Sequence, residues 1–187
     1  YSGFIIIDYN HDVIKEDMKD ILDITLKDLS LNGRELFNNK GELGIHGYNH
    51  NPLLYYSKDI NFEGLNYKPW ITQQDMAAST QEVLKYVKEL FGKKVKLYTY
   101  VPPSNMMKEE GVKVVVENYP DLKTISSVFY GTDSEGVYVQ EVGRNKLFPN
   151  IYNLPRFSSG FYYDSDEMWN IFNAFAISIA TDGFSVI

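Results

Sequence analysis

The sequence predicts an α/β protein assembled from parallel β/α units. Three observations predict it. Short apolar, β-branched runs recur along the chain. Between them lie stretches whose apolar residues repeat at helical spacing. Gly, Pro or Asn stands at most of the switches between the two. The chain has 187 residues, enough for one domain with a sizeable core.

Phe4-Ile5-Ile6-Ile7 is a continuous apolar run and reads as a strand buried on both faces, as in a parallel sheet. Asp8 to Asp12 is the loop after it. Val13, Met18, Ile21, Leu22, Leu26 and Leu29 then recur at helical spacing, and Asn32-Gly33 is expected to stop that helix. A short second helix, Arg34 to Asn39, ends at Gly41. Leu43-Gly44-Ile45 is a short strand leading into His46. Residues 51–69 are rich in Tyr, Asn and Pro and form a long loop of the kind that carries function. Thr72 caps a helix with the stripe Met76, Thr80, Val83, Leu84, Val87, Leu90 and Phe91, closed by Gly92. Val95 to Val101 is a strand ended by Pro102-Pro103. A helix from about Met106 to Asn118 and a strand from Thr124 to Phe129 follow. Val137 to Val142 alternates like a hairpin strand. Asn153 to Phe157 is a further strand. Asp164 caps an apolar helix from Glu167 to Ala180, which Gly183 ends.

Composition narrows the function. Hydrophobic residues make up 44% and charged residues 23% of the chain, ordinary for a globular protein. Eighteen Lys+Arg against 25 Asp+Glu leave a net charge of -7, a poor start for nucleic-acid binding, which needs a basic face. The absence of Cys excludes disulfide frameworks, thiolate metal sites and cysteine nucleophiles. No stretch has the length of a membrane helix; the most apolar window, Ile171 to Ile179, is broken by Asn173 and Ser178. The sequence starts at Tyr1 rather than Met and stops in what reads as a strand, Phe184 to Ile187. It is therefore expected to be a single domain truncated at both ends.

In β/α folds the chemistry sits in loops after strand ends. Here those are residues 8–12, 46–52, 102–105 and 156–161. The three histidines stand at positions 11, 46 and 50. His46 and His50 lie four apart, and on one helical turn two such imidazoles face the same way and can share a metal ion. The competing reading is two loop histidines held by backbone carbonyls.

The surrounding residues resemble a known family. Gly41-Glu42-Leu43-Gly44-Ile45-His46, followed by His50 and Pro52, is similar to the second motif of the polysaccharide deacetylases, a carbohydrate esterase superfamily. That motif reads roughly Gly-His-Glu-Ile-Gly-x-His-(Ser/Thr)-x-x-His-Pro. Here the His after the first Gly is absent, Gly47 replaces Ser/Thr, and Asn51 is inserted before the Pro. Tyr100-Val101-Pro102-Pro103-Ser104-Asn105 resembles the family's third motif, Arg-x-Pro-Pro, without its Arg. The resemblance implies a distorted or incomplete (β/α) barrel. It implies metal ligation by His46 and His50, with zinc or another first-row ion as the cofactor. It also implies a groove lined by Pro103, where Ser104 or Asn105 stands in the place of an oxyanion N–H. The family's Asp-Asp pair does not occur in this sequence. Either Asp8 is the surviving catalytic acid, or the pair lies upstream of Tyr1. The family's late catalytic His is likewise not visible, and its expected place is just beyond Ile187.

The activity implied is metal-dependent removal of acetyl groups from a glycan. The rival is a catalytically inactive domain of the same fold that binds carbohydrate or serves a structural role. A glycoside hydrolase with paired carboxylates would have to draw on Asp8, Asp59 and Glu63, without supporting spacing. The expected partner is a polysaccharide or acetylated sugar, and an extracellular or cell-surface setting follows from what such families act on. Tyr48, Tyr55, Tyr56, Tyr67 and Trp70 either stack on sugar rings or serve ordinary packing. Arg156 either replaces the missing motif Arg, binding substrate, or forms a surface ion pair. His11 reads as a solvated turn residue.

Overall fold

The computed structural model describes residues 2–7, 19–58, 60–64, 67–126, 129–133, 136–139 and 142–154. For residues 19–25, 129–133 and 136–139 the backbone alone is described. Asp8, His11, Asp59, Arg156 and the expected strand end and helix beyond Leu154 lie outside these residues.

Strand β1 (Ser2–Ile5) leads through helix α1 (Lys19–Asn38) to β2 (Glu42–Ile45). Helix α2 (Gln73–Phe91) connects to β3 (Thr99–Tyr100), and α3 (Glu109–Asn118) to β4 (Thr124–Ile125). Then come β5 (Phe129–Asp133), β6 (Gly136–Val139), β7 (Gly143–Arg144) and β8 (Tyr152–Asn153). The main sheet has the order β1-β2-β3-β4-β8-β7. All its pairs are parallel except β7 with β8. Strands β5 and β6 form a separate antiparallel hairpin. The first four strands are neighbours in chain order, so the sheet is wound in one direction, unlike a doubly wound sheet whose order reverses.

The core lies between one face of this sheet and the three helices. Ile5, Ile7, Leu43, Ile45, Tyr100 and Ile125 form one buried cluster with Met76, Val83 and Val87 of α2 and Val112, Val114 and Val115 of α3. Each such side chain contributes about 1.5–3 kcal/mol on leaving water. Helix α2 begins where the sequence places it. Thr72 Oγ1 accepts from the Asp75 backbone N–H at 3.1 Å and donates to its carboxylate at 2.7 Å. Such a cap is worth about 1 kcal/mol. Gly92, at φ 88°, closes it.

Four expectations are corrected. Phe4–Ile7 is not buried on both faces, since Phe4 is 43% exposed while Ile5 and Ile7 are buried. Gly33 does not break a helix; α1 runs through it as one element. A Cβ there would sit 2.5 Å from the Phe91 ring, so the small residue lets α1 approach the end of α2. The strand expected from Val95 shrinks to Thr99–Tyr100, because the Tyr98 carbonyl accepts both the Lys123 and the Thr124 N–H and the regular ladder starts only beyond it. The helix expected from Met106 starts at Glu109, after an extended Lys108; Met106 and Met107 are instead buried as packing residues. The long loop is irregular as expected, apart from a Tyr55–Trp70 bridge, and has its own small core of Leu54, Ile60, Phe62 and Met106. Among the described residues, no helix is long and apolar enough to cross a membrane.

Candidate functional site

His46 follows the last residue of β2 and is fixed from both sides. Its N–H donates to the Ile5 carbonyl at 2.9 Å, and the Val101 N–H donates to the Ile45 carbonyl at 2.9 Å. One strand over, its Nδ1 lies 2.7 Å from the Val101 carbonyl oxygen. A carbonyl only accepts, so the proton is on Nδ1, and the neutral ring then carries its lone pair on Nε2. Metal-binding histidines are commonly oriented by such a backbone carbonyl.

The second imidazole arrives by a different route from the one its spacing suggests. Residues 46–51 form no helical turn. Gly47 at φ 97° and His50 at φ 55° bend the chain back on itself. The two ring centroids end 5.0 Å apart, with the planes at 67°. Two imidazoles sharing one ion, with bonds of about 2.0–2.1 Å and a near-tetrahedral angle, have centroids roughly 5 Å apart. That separation is compatible with a shared ion and equally with the edge-to-face contact the two rings make, and the donor chemistry of two imidazoles suits zinc or another first-row ion. Partial burial lowers the pKa of His50, which favours the neutral ring that a metal needs. Among the described residues, no group of three or more His, Asp or Glu gathers around a common point.

The Pro-Pro loop packs directly beneath. A Cβ on Gly47 would lie 3.1 Å from Pro103 Cγ, so the bend needs glycine both for its φ and for this approach. Pro103–Asn105 is a single 3-10 turn. In it Ser104 (φ 49°) and Asn105 (φ 60°) are both left-handed. Non-glycine residues in that region cost about 1 kcal/mol or more each. Ser104 Oγ is hydrogen-bonded to the Tyr67 hydroxyl. The Tyr67 ring in turn stands 6.3 Å from His50.

Tyr67 is delivered by the long loop, and Asn51 is the reason. The Asn51 amide donates to the Lys68 carbonyl at 2.7 Å and accepts from the Lys68 N–H at 3.3 Å. The residue that interrupts the His-x-x-x-His-Pro pattern thus clamps the far end of the loop to the histidine turn. Trp70 adds a second clamp, its indole N–H on the Pro52 carbonyl at 3.0 Å. His46, His50, Pro103, Ser104 and Asn105 are therefore brought together. Tyr48 is placed apart from them, 3% exposed within the main core. Asp8 and Arg156 fall outside the described residues. Two contributors were hidden from residue patterns. The Val101 carbonyl is backbone, and its only signal was the neighbouring strand ending at Pro102. Tyr67 carried no signal beyond its place in an aromatic-rich loop.

Tyr100, which stands where the deacetylase motif has its Arg, is fully buried on the helix-covered face of the sheet. Burial raises its phenol pKa, and its hydroxyl has no partner among the described residues. On the opposite face His46 borders a cavity of about 780 Å³ that Phe4, Thr99, Val101, Thr124 and Ser126 also line.

The model of family DUF2194, described as an uncharacterised protein conserved in bacteria, matches residues 1–185. Among the curated proteins, none matches the chain. One solved structure with similarity is the crystal structure of a CE4 family pseudoenzyme from Bacillus anthracis. It is 18% identical over 66% of this chain and 42% of that chain, with a TM-score of 0.38; the chain thus spans less than half of that protein's length.

Proposed function

We propose that this chain, which belongs to the DUF2194 family, is a polysaccharide-deacetylase-like domain whose His46 and His50 hold a divalent metal, most simply zinc, for hydrolysis of acetyl groups on a glycan. One observation carries the reading: His46, its Nδ1 on the Val101 carbonyl, has its ring 5.0 Å from that of His50. The resemblance of residues 41–52 and 100–105 to two deacetylase motifs supports it. The singly wound order of the first four strands, with helices on one face, suits the wall of a (β/α) barrel, and chemistry in such a wall belongs at the C-terminal strand ends.

A bound divalent ion would supply a water of lowered pKa and positive charge toward an acyl oxygen. The chain's own residues do the rest. The carbonyl of Val101 holds the His46 ring in register. Asp8, next after the buried Ile7, takes the role of general base: it accepts the water's proton on its carboxylate and passes it to the amine or alcohol that departs as the acyl bond breaks. A backbone N–H of the Ser104–Asn105 turn donates toward the developing oxyanion. Pro103 shapes the floor, and Arg156 is assigned to substrate binding.

A second reading has a specific observation behind it. The side chain at the motif-Arg position, Tyr100, faces the helices rather than the site and cannot orient a carboxylate at the metal. A glycan-binding domain without turnover would keep the histidine pair and the fold and lack this support. Acetate release separates the two. The full-length protein loaded with zinc is expected to liberate acetate from an N- or O-acetylated oligosaccharide, and Asp8→Asn to reduce the rate at least ~100-fold. Zinc binding with no acetate released on either substrate type would establish the second reading.

A further inference from the structure

The cavity that His46 borders, of about 780 Å³, is larger than the removal of an acetyl group requires. At about 30 Å³ per water molecule it has room for roughly 25 waters, far more than an acetyl group fills. The sheet register explains its shape. Ile45, Tyr100 and Ile125 pair in one row and pack in the helix-covered core. The residue after each belongs to the other face, so His46, Val101 and Ser126 stand side by side along the top of the cavity. Gly44, Thr99 and Thr124 form the row below. Gly44 has no side chain, and a Cβ there would meet the Phe4 ring at 2.4 Å, so that ring lies over β2. The lining continues down to Glu42, about 13 Å from His46 along the strand.

Two features select an occupant. Ser126 lines the cavity and is only 3% exposed, and its Oγ has no hydrogen-bond partner among the described residues. A buried hydroxyl left in this state costs about 1–3 kcal/mol, which a polar atom in the cavity would relieve. Secondly, Glu42 is the one charged side chain among the described lining residues, and its Oε1 accepts from Ser2 Oγ at 3.1 Å. No Lys or Arg stands there to receive an anion. Phe4, Val101 and Leu154 make the rest of the lining largely apolar. The favoured occupant is uncharged and mostly apolar, and it carries a hydrogen-bonding oxygen. Of the two parts of an acylated glycan, the polymer needs an open groove, whereas the acyl group can end inside a bounded cavity.

We propose that this cavity is a pocket for an uncharged acyl group longer than acetyl that carries a hydroxyl, with Ser126 binding the hydroxyl and Thr99 setting the room for the chain. This rests on the proposed function for the place of the reacting carbonyl, and it changes the acyl group expected there.

The test titrates acetamide, butanamide and 3-hydroxybutanamide, which carry no sugar and no charge, into the full-length protein, zinc-loaded and zinc-free, with NMR chemical shifts as the readout. Butanamide is expected to bind at least ~10-fold tighter than acetamide, and 3-hydroxybutanamide a further ~3- to 10-fold tighter. Ser126→Ala removes a hydroxyl without a partner, so it is expected to keep the fold and lose only the second gain. Thr99→Leu fills the middle of the cavity and is expected to bring butanamide down to the level of acetamide. Equal affinity for the three amides in the parent protein would overturn the proposal. So would a preference for 3-hydroxybutanamide that Ser126→Ala leaves intact. If the preferences hold and zinc does not bind, the metal reading falls and the pocket stands. Zinc held by the histidines with no preference among the amides removes the pocket and leaves the metal reading in place.

Discussion

The two faces of the main sheet are made from alternate residues of the same short strands, and they have opposite duties. Ile5, Ile7, Leu43, Ile45, Tyr100 and Ile125 face the helices and are at most 5% exposed. Phe4, His46, Thr99, Thr124 and Ser126 face the cavity. The first set is large and apolar, whereas the second is mostly small, polar or titratable. Period-two alternation lets one strand do both jobs. It also means that an apolar run such as Phe4–Ile7 does not reveal by itself which face is filled.

This contrast can be broken experimentally. Ile45→Ala, on the helix-covered face, is expected to cost about 2–5 kcal/mol in urea or thermal unfolding. Thr99→Ala, on the cavity face, is expected to stay within about 0.5 kcal/mol. Equal costs would mean that the cavity face is packed as tightly as the core. Next in size is Gly47→Ala. It forces a Cβ into positive φ and against Pro103 and should cost about 1–2 kcal/mol, with weaker zinc binding because the His50 ring moves. Unchanged stability and zinc affinity would show that the bend is not what brings the rings together. Tyr100→Phe tests the helix-covered face in the opposite direction. It removes a buried hydroxyl without a partner among the described residues, so stability should hold or rise by up to about 1 kcal/mol. A clear loss would reveal a hydrogen bond to that hydroxyl.

The fold was legible where local chemistry and tertiary packing agree. Thr72 and Gly92 bound α2 as their cap chemistry predicts, and Leu43–Ile45 is a strand leading directly into His46. It was misread where a distant contact decides. Gly33 looks like a helix stop until Phe91 is seen beside it, and Val95–Val101 looks like a long strand until the Tyr98 carbonyl takes two donors. The candidate site was legible in part for a similar reason. The spacing of His46 and His50 singled out the pair, but the expected helical turn is replaced by left-handed residues at Gly47 and His50. The inserted Asn51 read as a departure from the deacetylase pattern, and its role appears only once Lys68 is found opposite it. Exposure of Tyr56 and burial of Tyr48 are likewise decided by the folding of the whole loop.

The most direct test is the zinc stoichiometry of the full-length protein after dialysis, alongside His46→Ala and His50→Ala variants checked for intact secondary structure. One equivalent of zinc in the parent protein, lost in both variants, is the predicted result. A parent protein that retains no zinc, or variants that keep the full equivalent, would contradict a metal shared by the two imidazoles.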